Sequence, residues 1–532
     1  MMKKIIPISL GTIILLWIML SGCTANADKI SEASGAQTIS ELVLGAATEV
    51  KDTNINDVQY SRLADVLCFE GLVRLNPFGA HEPELAKSWQ VSPDLKKWTF
   101  LLQDNATWSD GKPVTSADIK FTLENLAITP VLKIHTSDII ESVDASDANT
   151  VVINLNKPSS DLLSTIDVIK ILPEHVYKDV KDINSFNGKD ASIGSGPYMF
   201  DHFDKDAGLL VFKANENYWK GTPPIDTIEY KMYKSMDTVI QALLKGEIDV
   251  PASTISYFYV PEIIKNDDIG IITAKNGGVS LAIYFNTQKA PYYNKLFREA
   301  LSYAIDYEEM MNLFTAGYGS IPPAGWIPEG NYGYVETRPL AYDLNKSKSL
   351  LDSIGMVDVD GDGFRETPDG KKFSAGIIVR SDLPDNVRAV EMLKNYFQDV
   401  GIDLKVNLAD LATFDSLTGA SQEMILSRIS FLGFSMGAGY GTGLVGMTGY
   451  SWCMVDDPAY TSLEDQLSKA ADDDERLKLG ADLQKYYADN LPMITVYSMD
   501  QIQPYSKKYA GWIIGPASGV LNKDTVMQLR PA

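Results

Sequence analysis

The chain has 532 residues, and its 70 acidic side chains outnumber its 47 lysines and arginines, which gives a formal net charge of -23. A surface of this charge repels nucleic acid and anionic lipid, so nucleic-acid binding is disfavoured. Hydrophobic residues make up 45% of the chain, as in a globular protein. The length exceeds what one hydrophobic core usually organises, so we expect two or three domains.

The first segment has the pattern of an export signal. Lys3 and Lys4 precede an apolar run over residues 5–20, which is short and interrupted for a permanent span of the bilayer. The sequence LSGC, ending at Cys23, resembles the lipobox of exported lipoproteins, in which the cysteine becomes the N-terminus and carries lipid. We therefore predict a lipoprotein signal peptide at 1–22, a lipid on Cys23 and a body outside the cytoplasm. The alternative is an uncleaved anchor with an incidental cysteine.

Residues 23–38 lack apolar periodicity and are rich in small and polar side chains, which favours a flexible tether. We expect ordered structure to begin near Ile39. The other two cysteines, Cys68 and Cys453, are expected to be free thiols, because Cys68 lies in the apolar stretch DVLCFEGLV and reads as a buried small hydrophobe.

Strands and helices are mixed in the first half. The stretch 96–126 predicts a hairpin with a tight turn at Asp110-Gly111, followed by a helix capped at Thr115. GSGPYMFDHFDKDAGLLVFKAN predicts a second hairpin, and SMDTVIQALLKG predicts a helix that ends at Gly246.

The second half alternates between strands and helices. GGVSLAIYFNT predicts a buried strand, and NKLFREALSYAIDYEEMMNLFTAG predicts one continuous helix closed by Gly317. Strand, helix, strand, helix and strand follow in KFSAGIIVRS, NVRAVEMLKNYFQDVG, IDLKVNL, ERLKLGADLQKYYADN and PMITVYSM. This alternation is typical of an α/β lobe.

Seven stretches stand out, in order along the chain. They are EPELAKSW (82–89), KKWTFLLQDNATWSDGKPVTSADI (96–119), IGSGPYMF (193–200), ANENYWKGTPPIDTIEY (214–230), QALLKGEIDV (241–250), IYFNT with FREALSYAID (283–306) and YDLNKSKSLLDSIG (342–355). Together they resemble the large extracellular solute-binding proteins of the oligopeptide, dipeptide and nickel class, the family 5 receptors of ABC importers.

The resemblance implies an α/β, two-lobed periplasmic-binding-protein-like fold, type II, of the large peptide-binding class, with an extra subdomain inserted in lobe I. The implied ranges are 39–60, 190–278 and 497–532 for the lobe I core, 61–189 for the inserted subdomain and 279–496 for lobe II.

The resemblance also implies a monomeric receptor without enzymatic activity, which captures a peptide-like solute between its lobes and delivers it to a permease with ATPase subunits. A lipid anchor would keep it on the extracytoplasmic face of the membrane. No cofactor is required for this function. A receptor for a nickel or other metal chelate is the alternative within the class. An exported hydrolase and a sensory binding protein are further alternatives.

Candidate solute-binding residues come from both sides of the implied cleft. Peptide receptors of this class hold the ligand ammonium with an aspartate of lobe II, but here no aspartate occurs between Arg428 and Asp456. Glycines and aromatic rings replace it and favour a close-fitting apolar wall, although such rings are as often core residues. The candidates are Arg428, Phe431, Phe434, Tyr440 and Trp452 from lobe II, and Ser253, Tyr257 and Gly278 from the hinge side.

Two local motifs point to other chemistry. GFSMG (433–437) matches a serine nucleophile elbow, but every histidine precedes it, so the order required for a serine hydrolase is absent. VDVDGDGFRETPDG has the spacing of a calcium loop. Two features count against a calcium site: Pro368 opposes a following helix, and an aspartate stands where the last ligand is usually a glutamate. The predicted calcium ligands are Asp358, Asp360, Asp362, Phe364, Glu366 and Asp369; the alternative is an acidic turn.

Overall fold

The computed structural model describes residues 38–125, 139–160, 162–275, 279–418, 422–429, 452–470, 473–515 and 519–532. Residues Gln37–Ala532 form one compact unit. Every helix in the described ranges is too short or too polar to cross a bilayer.

The strands, numbered in chain order, lie in several sheets. They are β1 Ile39–Ala46, β2 Val73–Leu75, β3 His81–Pro83, β4 Ala86–Val91, β5 Lys97–Leu102, β6 Ile140–Asp147, β7 Thr150–Leu155, β8 Tyr198–Asp204, β9 Leu209–Ala214, β10 Ile225–Met232, β11 Val250–Pro251, β12 Ile269–Ala274, β13 Val279–Phe285, β14 Gly319–Ser320, β15 Ser374–Arg380, β16 Asp403–Ala409, β17 Met424–Ile429, β18 Met493–Met499, β19 Gln501–Ser506, β20 Tyr509–Ala510 and β21 Arg530–Pro531.

The helices pack against these sheets. They are α1 Val58–Leu67, α2 Ser116–Glu124, α3 Leu162–Ile166, α4 Glu174–Tyr177, α5 Gly188–Ala191, α6 Met236–Leu244, α7 Val260–Ile263, α8 Lys295–Tyr303, α9 Tyr307–Thr315, α10 Leu344–Ser353, α11 Pro384–Gln398, α12 Leu411–Leu417, α13 Pro458–Lys469, α14 Asp473–Asn490 and α15 Lys523–Gln528. Short 3-10 turns occupy Ile183–Ser185 and Tyr257–Tyr259.

The core of lobe I is a sheet with the strand order β11-β1-β10-β9-β8 among the described residues. Strand β1 is apolar on both faces and is covered on both. Leu42 and Leu44 pack in the same cluster as residues of α1, whereas Val43 packs with Val239 and Ile240 of α6 on the other side. A strand that is covered on both faces has a nearly continuous run of apolar residues in its sequence, as β1 does. The predicted hairpin of β8 and β9 and the predicted helix α6 are both present.

A separate antiparallel sheet, β4-β5-β7-β6, has its own hydrophobic core. We call it the four-stranded module. Its core runs from Leu72 to Ile171, and the bounds 61–189 of an inserted subdomain stay a prediction. Leu63 of α1 and Tyr177 of α4 pack instead in the lobe I core. The predicted hairpin before α2 is reduced to one bridge between Thr107 and Pro113, because β5 pairs with β4 and β7.

Lobe II is built on a sheet with the strand order β14-β18-β13-β17-β15-β16 in the described ranges. Strand β15 is parallel to β16 and β17, whereas β13 is antiparallel to β17 and β18, so the sheet is mixed. One core cluster contains Phe297, Met310 and Leu393, and a second contains Trp326 and Tyr460. The predicted strand–helix–strand order of β15, α11 and β16 is confirmed.

The prediction of one continuous helix over residues 294–317 is wrong. The chain forms α8 and α9, separated at Ala304–Asp306. Asp306 is the N-cap of α9, and its carboxylate accepts a hydrogen bond of 2.9 Å from the backbone N–H of Glu309. An aspartate in this position satisfies backbone donors of a new helix rather than continuing the old one. Ala316, with φ of 49°, ends α9 one residue before the predicted stop.

The stretch IGSGPYMF lies directly against the end of α1. The backbone N–H of Gly196 donates to the carbonyl of Cys68 at 2.8 Å. A Cβ atom at Gly194 would stand 1.9 Å from the same carbonyl oxygen. Two backbone segments in contact leave no room for a side chain, so glycine is required at this position for steric reasons.

We expect Gly194→Ala to lower the free energy of unfolding by at least about 1–3 kcal/mol, the usual cost of overpacking. The matched control is Ser195→Ala, because the Ser195 hydroxyl is buried and has no hydrogen-bond partner among the described residues. Removal of an unpaired buried hydroxyl is neutral or stabilising. Denaturant unfolding of both variants measures the difference, and equal stability of the two would contradict this explanation.

Candidate ligand-binding cleft

The chain crosses between lobe I and lobe II at two neighbouring places. Strand β12 pairs antiparallel with β19, on the lobe I side, from Ile269 opposite Ser506 to Ala274 opposite Gln501. Beyond the crossing, β13 pairs antiparallel with β18 in the lobe II sheet. Two crossing connections are the usual construction of a hinge between closing domains. This junction is therefore the candidate place for the predicted cleft.

An ion pair joins the two crossing segments. Lys275 follows β12, Asp500 separates β18 from β19, and the lysine Nζ lies 3.1 Å from each carboxylate oxygen. The backbone N–H of Asp500 also donates to the carbonyl of Tyr318 at 2.9 Å. This pair was not predicted from the sequence. The available signal was a pair of opposite charges, each immediately after a strand that ends at the junction.

Two of the predicted hinge-side residues lie near the junction. Ser253 is exposed just after β11, and Tyr257 begins the 3-10 turn that follows the bridge between Ile255 and Ile502. Burial raises the pKa of Tyr497 on β18, and the neighbouring carboxylate of Asp385 and phenol of Tyr257 raise it further. Tyr257 of lobe I thus lies within electrostatic range of lobe II. Gly278 lies outside the described residues.

The predicted lobe II wall is described only in part. Arg428 lies in β17 with its side chain undescribed, and Phe431, Phe434 and Tyr440 lie outside the described residues. Trp452 packs edge-to-face on Tyr284 with 4.9 Å between ring centroids. It lies at the margin of a lobe II core cluster. A core position was one of the two alternatives that the sequence left open for this ring. Solute binding by these residues stays a prediction.

The acidic loop brings together three of its predicted calcium ligands. Carboxylate oxygens of Asp358, Asp360 and Glu366 lie within 4.8 Å of one another. Lys372 donates to Asp360 at 3.1 Å and also contacts Asp362, so an ammonium group already neutralises part of the loop. The carboxylate of Asp369 pairs with Lys371 at 2.6 Å. The predicted role of the Phe364 carbonyl stays a prediction. Calcium binding stays a prediction.

A cavity of about 260 Å³ lies in lobe I, and no residue of the crossing strands lines it. Its charged lining residues are Asp65, Arg74, Glu84, Asp167, Lys170, Lys523 and Asp524. Glu84 is fully buried beside Lys523, which also donates to the carbonyl of Phe69 at 2.8 Å. Burial alone would raise the pKa of Glu84, but the ammonium groups of Lys523, Lys170 and Lys220 together outweigh burial and hold the pKa below its ordinary value.

Cys68 and Cys453 are both free thiols, as predicted, and both are buried, which was predicted for Cys68. Burial raises the pKa of the Cys68 and Cys453 thiols to about 12 in each case. Thiols of this kind are inert, because the thiolate is the nucleophile. The serine of GFSMG and the lipidation candidate Cys23 lie outside the described residues.

Comparison with known proteins matches this architecture. A family described as "Bacterial extracellular solute-binding proteins, family 5 Middle" matches residues 80–440. The dipeptide-binding protein DppE of Bacillus subtilis is 25% identical over 93% of this chain and 94% of its own length.

Solved structures show the same two-lobed fold. HbpA2 from Haemophilus parasuis has a TM-score of 0.81 at 20% identity and covers 92% of this chain and 100% of its own. NikA from Brucella suis, solved with Fe(III)-EDTA, has a TM-score of 0.74 at 20% identity over the same shares of the two chains, 92% and 100%. The family consists of solute-binding proteins and not enzymes, which confirms that expectation. The chain therefore belongs to the bacterial extracellular solute-binding proteins of family 5.

Proposed function

We propose that this protein is the receptor of an ABC importer and captures a peptide-like solute between its two lobes. The observation that carries the proposal is the similarity to a dipeptide-binding protein over 93% of the chain. The double crossing at β12–β13 and β18–β19 supports it, because such a hinge lets the lobes close over a solute. The closed receptor then delivers the solute to a membrane permease with its ATPase subunits.

The solute is held mainly through its backbone, by strand-like hydrogen bonds that tolerate different side chains. Because no aspartate occurs between Arg428 and Asp456, binding does not depend on a carboxylate of this segment pairing with the α-amine of the ligand. A peptide without a free amine is therefore expected to bind as well as one that has it.

Calorimetry with tri-alanine, N-acetyl-tri-alanine and nickel(II)–histidine tests this proposal on the purified protein. We expect heat with both peptides and comparable affinities. A strong loss on acetylation would contradict the proposed mode, and heat with the nickel complex alone would replace the peptide by a metal chelate. Native mass spectrometry of the protein as purified identifies any solute that it retains.

We also propose that the protein is a monomer held at the extracytoplasmic face of the membrane by lipid on Cys23. An anchor raises the effective concentration of a receptor around its permease. Cys23→Ser is expected to move the protein from the membrane fraction to the soluble fraction without loss of solute binding. Retention of this variant in the membrane would favour an uncleaved anchor.

A further inference from the structure

The four-stranded module contacts lobe II through elements that take no part in the hinge. Ser160 follows β7, Leu467 lies in the last turn of α13, and Arg476 lies in the first turn of α14. The Ser160 hydroxyl donates to the carbonyl of Leu467 at 3.4 Å, and the Arg476 guanidinium donates to the carbonyl of Ser160 at 2.6 Å. We call these three residues the rim contact.

Each side of the rim contact is held in place by its own lobe. In the module, the backbone N–H of Ser159 donates to the carbonyl of Leu95 at 3.1 Å, and the indole of Trp98 donates to the carbonyl of Ser159 at 3.3 Å. In lobe II, Leu467 and Ala470 are buried at the junction of the two helices. Two surfaces that are fixed in this way meet in one orientation rather than adapting to each other.

The two lobe II groups of the rim contact lie at helix ends, where a partner from outside the helix can contact them. The carbonyl of Leu467 accepts a hydrogen bond of 3.3 Å from the backbone N–H of Ala470, the C-cap of α13, and the Ser160 hydroxyl is a second donor to the same oxygen. A cation in the first turn of a helix is disfavoured by the helix dipole. Arg476 stands in such a position in α14, and its contact with the Ser160 carbonyl lies across the lobe boundary.

We propose that the rim contact is a second attachment between the lobes and that Arg476 sets the balance between the open and closed receptor. A hinge alone leaves the lobes free to rotate about the crossing strands, whereas a second attachment through different elements fixes their angle. Opening then breaks the rim contact while β12 and β19 stay paired. Arg476 is a positioning residue, and the inference rests on the two-lobed fold and not on the identity of the solute.

Hydrogen exchange followed by mass spectrometry on the full chain, without added solute, tests this inference. A charge-assisted hydrogen bond is worth roughly tenfold in an equilibrium, so Arg476→Ala is expected to speed exchange about tenfold in segments 156–160 and 465–470. Exchange in β12 and β19 is expected to stay at the wild-type rate. Arg476→Lys keeps a charged donor, so its exchange rates in segments 156–160 and 465–470 are expected to lie between those of the wild type and of Arg476→Ala.

The matched control is Lys469→Ala, because Lys469 belongs to the same corner of lobe II but pairs with Asp465 of its own helix at 2.6 Å. This variant is expected to leave segment 156–160 at the wild-type rate. A purely local role of Arg476 in α14 would speed exchange in that helix and leave 156–160, in the other lobe, unchanged. That outcome would overturn the proposal. No readout involves a solute, so it can fail while the proposed function stands.

Discussion

Replacing Glu84 with glutamine is expected to destabilise the protein by about 3–5 kcal/mol, the usual cost of leaving one partner of a buried ion pair alone. Glu84 is fully buried and pairs with Lys523, which has 12% of its side chain exposed, although 439 residues separate the two in the chain. The other carboxylate oxygen of Glu84 accepts from the backbone N–H of Gly71 at 2.6 Å. Removing the charge leaves the Lys523 ammonium in a site of low dielectric without its counter-ion.

The control is a second glutamate of the same stretch, EPELAKSW. Glu82 is a partner of Arg74 with 39% of its side chain exposed, so Glu82→Gln is expected to cost less than about 1 kcal/mol. A double variant, Glu84→Gln with Lys523→Met, removes both buried charges and is expected to regain much of the loss. Denaturant unfolding measures all three. If Glu84→Gln were as stable as Glu82→Gln, the buried pair would not hold lobe I together as described.

Replacing Glu464 with glutamine is expected to stabilise the protein at alkaline pH and not at acid pH. Glu464 is buried on α13, accepts a hydrogen bond of 3.1 Å from the Tyr460 hydroxyl, and has its pKa raised by burial from 4.5 to about 7. Below pH 4.5 the carboxyl is protonated in both the folded and the unfolded chain. As the pH rises, the unfolded chain loses this proton first, so stability falls until the pH passes about 7.

The shift in pKa corresponds to about 3 kcal/mol, at 1.36 kcal/mol for each pKa unit. Glutamine keeps the acceptor for Tyr460 and does not titrate. The stability difference between Glu464→Gln and wild type is therefore expected to grow from near zero at pH 4 to about this value at pH 8. Glu391→Gln on the exposed face of α11 is the control and is expected to give no such growth. A flat difference for Glu464→Gln would mean that the folded protein does not retain this proton.

The sequence predicted the regular elements well where local pattern determines them. Strand β13, the β8–β9 hairpin and helix α6 were predicted because apolar periodicity and turn residues agree in each. The break at Asp306 was missed because the apolar spacing continues through it, and only the capping contact with Glu309 reveals a second helix. Capping and periodicity made opposite predictions there, and capping prevailed.

The candidate site was less predictable, because it depends on contacts between distant parts of the chain. The motif EPELAKSW indicated the family, but nothing near Glu84 identifies Lys523 as its partner. The pair of Lys275 and Asp500 and the contact of Ser160 with Arg476 depend likewise on how the lobes meet. Trp452 was predicted from its residue type alone, and the same large ring suits a core as well as a cleft.

Small-angle scattering with and without a bound solute tests most directly whether the two lobes enclose it. The probe is tri-alanine or nickel(II)–histidine, whichever gives heat in calorimetry. We expect a smaller radius of gyration in the bound protein, because the lobes close about the crossing strands. Saturating binding with an unchanged radius of gyration, for the wild type and for Arg476→Ala alike, would contradict it.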